Sequence, residues 1–310
     1  NKFESKGEEV SNDQLLAMVP QTHKDYAASI LTDFGVETDD LEDQRKGHLF
    51  FRENLSEKGA RASLAVAFSH PIKLIANALG IPPQIMLDLG KEHNVPVAAL
   101  VGAKEHALRQ VAAGVDILIA AGTEAGGHCG DVSTMVLVPE IVRAVEEVSD
   151  TPVLAAGGIV TGSQMAASMA MGAAGAWCGS VWLTSVEAET SPAVKEKMLA
   201  ATSRATVRSK SRTGKPSRQL RSPWTDAWEQ PDSPSPLPMP LQTLVSEPAL
   251  HKLDRLSASG HKGASDLATY WVGQGVGLMN HSLSTGAIVQ EFKEDFLVAY
   301  ERLENLLSGN

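Results

Sequence analysis

Five short runs of apolar residues, each followed by a stretch with helical periodicity, constrain this chain more than any other feature. Ile72-Lys73-Leu74-Ile75-Ala76, Val95-Pro96-Val97-Ala98-Ala99-Leu100, Val115 to Ala120, Pro152-Val153-Leu154-Ala155-Ala156 and Ala174 to Leu183 are nearly continuous in apolar side chains. Runs of this kind are expected of strands buried on both faces, and strands alternating with helices make parallel βαβ units. The helical stretches carry their own boundaries. Pro82-Pro83 suits a helix start, Ala103 to Ala113 ends at Gly114, and Thr161-Gly162-Ser163-Gln164 matches a capping box whose helix stops at Gly172. The fold class read from this rhythm is α/β with a parallel sheet, and the rhythm alone leaves a closed barrel and an open sheet equally available.

The rest of the chain is organised around these units. Residues 1–71 are charged and mostly helical in pattern, and read as a helical insertion or cap; residues 72–183 hold the β/α units and the ligand site. Residues 184–240 turn Ser/Thr/Lys/Arg-rich and then proline-rich, which reads as an extended loop. Residues 241–310 are helical again over Ala264 to Trp271 and Ile288 to Leu307, and read as a smaller layer covering one mouth of the β/α domain, on the substrate side.

Bulk properties exclude several function classes. With 27 basic and 37 acidic residues the net charge is −10, which argues against non-specific binding to nucleic acid or an anionic membrane. No apolar stretch approaches the roughly 18 residues needed to span a bilayer. Cys129 and Cys178 fit neither a disulfide framework nor zinc spacing, so a reducing, cytoplasmic setting without a bound metal is expected. The chain opens on Asn1, which is read as the mark of a processed or cut record.

The candidate chemistry lies in glycine loops at the ends of three consecutive strands. Ala120-Ala121-Gly122-Thr123-Glu124-Ala125-Gly126-Gly127-His128-Cys129-Gly130 follows the third run, Gly157-Gly158 the fourth, and Cys178-Gly179-Ser180 the fifth. The C-terminal edge of a parallel sheet is where such loops converge and bind ligands. Paired glycine loops let backbone N–H groups approach a phosphate; tight-turn geometry without a ligand is the competing reading for any one of them. His128 has room beside it for a flat ligand, and an imidazole can move a proton at neutral pH. Cys129 beside it is a poor nucleophile partner, because adjacent side chains diverge. Gly273-Gln274-Gly275-Val276-Gly277 resembles a dinucleotide fingerprint superficially, since it follows a helical stretch and not a strand. Arg208, Lys210, Arg212, Lys215 and Arg218 read as a solvated basic face, with a grip on a cofactor or substrate phosphate as the alternative.

Four segments together carry a resemblance. Ala-Gly-Thr-Glu-Ala-Gly-Gly-His (121–128), Pro-Val-Leu-Ala-Ala-Gly-Gly-Ile (152–159), Ala-Met-Gly-Ala-Ala-Gly-Ala-Trp-Cys-Gly-Ser (170–180) and Thr-Gly-Lys-Pro-Ser-Arg (213–218) resemble the nitronate monooxygenase family, also called 2-nitropropane dioxygenase-like, over roughly residues 72–280. The resemblance implies a TIM-type (β/α)8 barrel binding FMN. It places the phosphate at Gly157-Gly158 and Gly179-Ser180, puts Ala156 and the loop of Gly122, Glu124, Ala125, Gly126 and Gly127 beside the flavin, makes His128 the catalytic histidine and sets Gln274 on the substrate side. Family members open with a Pro-x-x-x-Ala-Pro-Met-like segment and a Gly-Gly-x-Gly turn that do not occur here. Five βα units stand where a closed barrel needs eight, so N-terminal barrel strands are expected to be missing from this chain. Where some members have a lysine after the second strand, this chain has Leu100-Val101-Gly102.

The activity implied is FMN-dependent oxidation of an alkyl nitronate or nitroalkane by dioxygen to a carbonyl compound and nitrite. An FMN-dependent NAD(P)H reductase acting on a quinone or enoyl-thioester is the alternative on the same fold, and a non-catalytic fragment or phosphate-binding module is the alternative from another class. The expected partners are the small-molecule substrate and dioxygen, with room for a homo-oligomer.

Overall fold

All five apolar runs become strands of one parallel sheet in the computed structural model, which describes residues 12–48 and 57–309. They are β1 (Ile75–Asn77), β2 (Val97–Val101), β3 (Ile117–Ala121), β5 (Val153–Ala156) and β6 (Gly175–Trp177); β4 is the two-residue piece Gly127–His128 outside this sheet. The order is β1-β2-β3-β5-β6, so strands successive in the chain lie side by side without a reversal.

Alternation along the strands divides the side chains between two faces. Val97, Ala99, Val101, Leu118, Ala120, Val153 and Ala155 face one way. They pack against α5 (Gln84–His93), α6 (Lys104–Ala112) and α7 (Thr134–Glu146), whose Met86, Leu87, Ala107, Leu137, Val138, Ile141 and Val145 are buried in the same cluster. On the other face Ala98, Ile119 and Ala156 cluster with Ala76, Leu100, Ile117, Leu154 and Trp177, with no helical side chain among them. Helices on one face, strand side chains filling the other and an unreversed order are the features of an arc of a β/α barrel rather than of a doubly wound sheet. The expected closed eight-stranded barrel is not what the described residues form: among them, β1 and β6 each have one neighbour.

The described residues form two compact units. The sheet unit comprises 61–190, 195–206 and 271–310. It opens with α4 (Glu57–Phe68), continues through the sheet to α8 (Gly162–Ala170) after β5, and ends with α13 (Thr285–Ser308). The capping box of α8 forms as expected, Thr161 Oγ1 accepting from Gln164 N at 3.2 Å while Gln164 Oε1 accepts from Thr161 N at 3.2 Å. The same helix start is also held from α13: Asp295 Oδ2 accepts from Ser163 N at 2.7 Å.

The second unit comprises residues up to 60, 191–194 and 207–270. In it α1 (Asn12–Ala17), α2 (Gln21–Asp33) and α3 (Leu41–His48) pack with α10 (Pro223–Ala227), α11 (Leu241–Ala258) and α12 (Lys262–Leu267) around Leu15, Leu31, Trp224, Trp228 and Leu253. Residues 184–240, read as an extended loop, contain α9 (Pro192–Ala200), β7 (Thr206–Ser209), β8 (Ser217–Leu220) and α10; the proline run 231–240 has neither helix nor strand. Among the described residues no helix is long and apolar enough to cross a membrane.

Candidate active site at the C-terminal edge of the sheet

Register explains why three distant glycine loops meet. Ala121 pairs with Ala156, and Ala156 with Trp177, so the chain leaves β3, β5 and β6 at one level and the loops starting at Gly122, Gly157 and Cys178 stand side by side. Gly122 N donates to Ala156 O at 3.0 Å, which joins the first two loops at their roots.

The loop after β3 folds back on itself through Ala125 N to Gly122 O at 3.1 Å and Thr123 N to Val132 O at 2.8 Å. Its carboxylate turns towards the chain: Glu124 Oε2 accepts from both Thr134 N at 2.9 Å and Thr134 Oγ1 at 2.8 Å, at the start of α7. The Glu124 carbonyl accepts from Gln274 N at 2.9 Å. Gly273 N donates to Ser180 Oγ at 2.8 Å, and a Cβ on Gly275 would press on Gly158 O. The segment Gly273-Gln274-Gly275, of which Gln274 is assigned by resemblance to the substrate side, therefore threads between Glu124, Gly158 and Ser180, with Gln274 half-buried.

Gly157 and Gly158 have φ of +112° and +69°, values that favour glycine. Among the described residues the backbone N–H groups of Gly157, Gly158 and Gly179 have no hydrogen-bond partner, and a Cβ at Gly179 would meet nothing within 4 Å. The Ser180 hydroxyl accepts from Gly273 N and keeps its own proton for an acceptor. Amides without partners, positive-φ glycines and open space at one sheet edge fit the phosphate of a mononucleotide such as FMN.

His128 is exposed and lines an open cleft of about 510 Å³ beside these loops. The cleft runs over the ends of β1, β2 and β3. Leu79, Ile81, Leu100 and Val101 supply apolar walls, and Cys129 also lines it. Its ionisable lining is basic, with His106, Arg109 and His128 and no carboxylate. Gln110 closes the outer side, Nε2 donating to Gly80 O at 2.8 Å. Sequence reasoning missed the 78–81 loop and the α6 residues, although the same signal, a loop after a buried strand, was present there.

One expectation resolves differently. Arg212 and Arg218 are buried rather than solvated, and Arg212 forms a two-pronged ion pair with Glu247, Nε to Oε1 at 2.7 Å and Nη2 to Oε2 at 3.1 Å. Cys178 is half-buried, and burial pushes its thiol up to about 11, which leaves it an inert packing group. Among the described residues no three His, Cys, Asp or Glu side chains gather as metal ligands would.

Comparison with known proteins places this chain in a family. The family model "nitronate monooxygenase" matches residues 22–295. A protein of Mycobacterium tuberculosis provisionally named a monooxygenase is 50% identical over 295 residues, 95% of this chain and 77% of that protein. One of Staphylococcus saprophyticus, provisionally named a nitronate monooxygenase, is 30% identical over 249 residues, 76% of this chain and 67% of that protein. Among solved structures, nitroalkane oxidase from Streptomyces ansochromogenes aligns with a TM-score of 0.73 at 24% identity, covering 92% of this chain and 79% of its own, a likeness of fold. The chain belongs to the nitronate monooxygenase family.

Proposed function

We propose that this oxidoreductase uses FMN and dioxygen to convert alkyl nitronates, and the nitroalkanes that give rise to them, to a carbonyl compound and nitrite. One observation carries the reading: the exposed His128 lines the cleft on the same sheet edge as the Gly157-Gly158 and Gly179-Ser180 amides. FMN bound there supplies the electron-transfer chemistry. In the net reaction two nitronate anions and one dioxygen give two carbonyl compounds and two nitrites: each nitronate carbon gains one oxygen atom from dioxygen as its bond to nitrogen breaks.

The chain's own groups have separable tasks. The amides of Gly157, Gly158 and Gly179 and the Ser180 hydroxyl hold the phosphate. His128 removes the α-proton of a neutral nitroalkane and, once protonated, faces the nitronate anion so formed with a positive charge. Leu79, Ile81 and Leu100 offer the alkyl part an apolar wall.

The purified protein is expected to be yellow, with a flavin spectrum that preformed nitronate bleaches when oxygen is removed. His128→Asn should lower turnover of a neutral nitroalkane by about 10²-fold or more, the usual worth of a general base, and affect a preformed nitronate far less. Equal loss on both substrates with flavin still bound refutes the base role. Bleaching by NADH in place of nitronate assigns the protein to the reductases.

A further inference from the structure

The loop that carries His128 has only the two-residue β4 as regular structure of its own, so contacts made by the rest of the loop also decide where the imidazole stands against its substrate. The helix that follows poses a matching problem. α7 begins at Thr134 without a side-chain hydrogen bond from Ser133, the residue before it, and without an acidic residue in its first turn. Its first N–H groups therefore need an acceptor from elsewhere. Glu124, ten residues upstream, meets both needs: one carboxylate oxygen takes the Thr134 amide at 2.9 Å and the Thr134 hydroxyl at 2.8 Å.

Thr134 is itself a junction. It is buried, and its Oγ1 lies 3.3 Å from Ala156 O and 3.2 Å from Gly157 O. A Cβ on Gly122 would overlap it, and one on Gly157 would lie 2.6 Å from its hydroxyl. The Glu124 stem fills the space beside Gly158, whose Cβ would sit 3.0 Å from Glu124 Cβ, and its carbonyl holds Gln274 N at 2.9 Å. One residue thus ties the His128 loop to the start of α7, to the glycine loop after β5 and to the Gly273-Gln274-Gly275 segment.

The geometry points to Glu124 as the positioning residue of the reaction: by capping α7 at Thr134 it sets where His128 stands relative to the phosphate-binding loops. This rests on the reading of His128 as the proton-transfer residue. What Glu124 contributes is hydrogen-bond geometry, and a neutral amide oxygen at the same place accepts the same two bonds.

The test uses the flavin-loaded protein and its variants Glu124→Ala, Glu124→Gln and Thr134→Val. Hydrogen–deuterium exchange over residues 122–134 needs no turnover. Glu124→Ala and Thr134→Val should exchange there about tenfold faster than wild type, and Glu124→Gln close to it. With a neutral nitroalkane, Glu124→Ala should keep its flavin and a KM within about threefold, lose about ten- to a hundredfold in kcat while a preformed nitronate is affected far less, and be restored to within about threefold of wild type in Glu124→Gln. Unchanged exchange in Glu124→Ala overturns the proposal. So does faster exchange with full kcat, which reduces the contact to local stability, and so does a Glu124→Gln variant as impaired as Glu124→Ala. Should Glu124→Ala not fold, Thr134→Val, which leaves the amide bond in place, carries the comparison. A wild-type protein that binds flavin and ignores nitronates defeats the functional reading alone, since the exchange result still decides the cap.

Discussion

Gly122 and Gly179 both belong to the motifs that carry the resemblance, yet their surroundings assign them opposite jobs. A Cβ on Gly122 would collide with the Thr134 hydroxyl and amide, so that glycine serves the approach of the chain to itself. A Cβ on Gly179 would meet nothing within 4 Å and its φ of −114° suits any residue, so nothing in the fold demands glycine there. Gly179→Ala should therefore leave the melting temperature unchanged while weakening FMN binding at least tenfold in a titration followed by flavin fluorescence, because the methyl occupies space the phosphate needs. Gly122→Ala should instead lower the melting temperature by several degrees, as overpacking of about 1–3 kcal/mol does in a domain of this size. Equal flavin affinity in Gly179→Ala and wild type places the phosphate elsewhere. Sequence reading could locate these glycines and not divide them, since the partner that decides, Thr134, lies twelve residues from one and far from the other. His128 was legible for the reverse reason: position after a buried strand and glycine neighbours are both local signals.

At the scale of elements, strands written in apolar residues were readable and strands written in polar ones were not. β8 is Ser217-Arg218-Gln219-Leu220, every residue buried, with no apolar alternation to mark it. Its burial is tolerated in part because polar atoms find partners, as Gln219 Nε2 finds Ser211 Oγ at 3.1 Å and Gln242 Nε2 on α11 finds Ser211 O at 2.8 Å, whereas Gln219 Oε1 has none among the described residues. The same logic buries the charge of Arg212 against Glu247 of α11. Burial pushes the Glu247 carboxyl up, but hydrogen bonds from His251 and Arg212 outweigh it and hold it at about 2. A carboxylate depressed in the folded state stabilises the fold above its unfolded value near 4.5, and that contribution is lost as pH falls towards 2. Urea unfolding of wild type and Glu247→Gln should accordingly differ most between about pH 5 and 6.5, by up to about 3 kcal/mol, narrow at higher pH as His251, held above its ordinary value by Glu247, loses its proton, and converge between about pH 4.5 and 2. A constant difference across that range shows that packing, and not the charge, is what the substitution removes.

For the whole molecule the decisive quantities are charge and range. A net charge of −10 repels an anionic substrate through solvent, whereas Arg109 of the cleft attracts it at close quarters. The two effects respond differently to salt. At about 0.01 M ionic strength the Debye length is roughly 30 Å and the repulsion of the entire chain is felt; near 0.15 M it is roughly 8 Å, and most of that repulsion is gone while contacts inside the cleft are screened much less. For a nitronate, kcat/KM should therefore rise roughly two- to threefold between these concentrations, the size of a change of well under 1 kcal/mol in long-range repulsion. For the neutral parent nitroalkane it should stay flat, which controls for any effect of salt on the protein itself. Arg109→Gln should lower the nitronate value at every salt concentration and leave the rise in place, since it removes attraction at short range and leaves the long-range field nearly as it was. A nitronate kcat/KM that falls with salt reverses the argument: it shows that the Arg109 charge in the cleft, and not the acidic surface of the chain, governs the approach of substrate to His128.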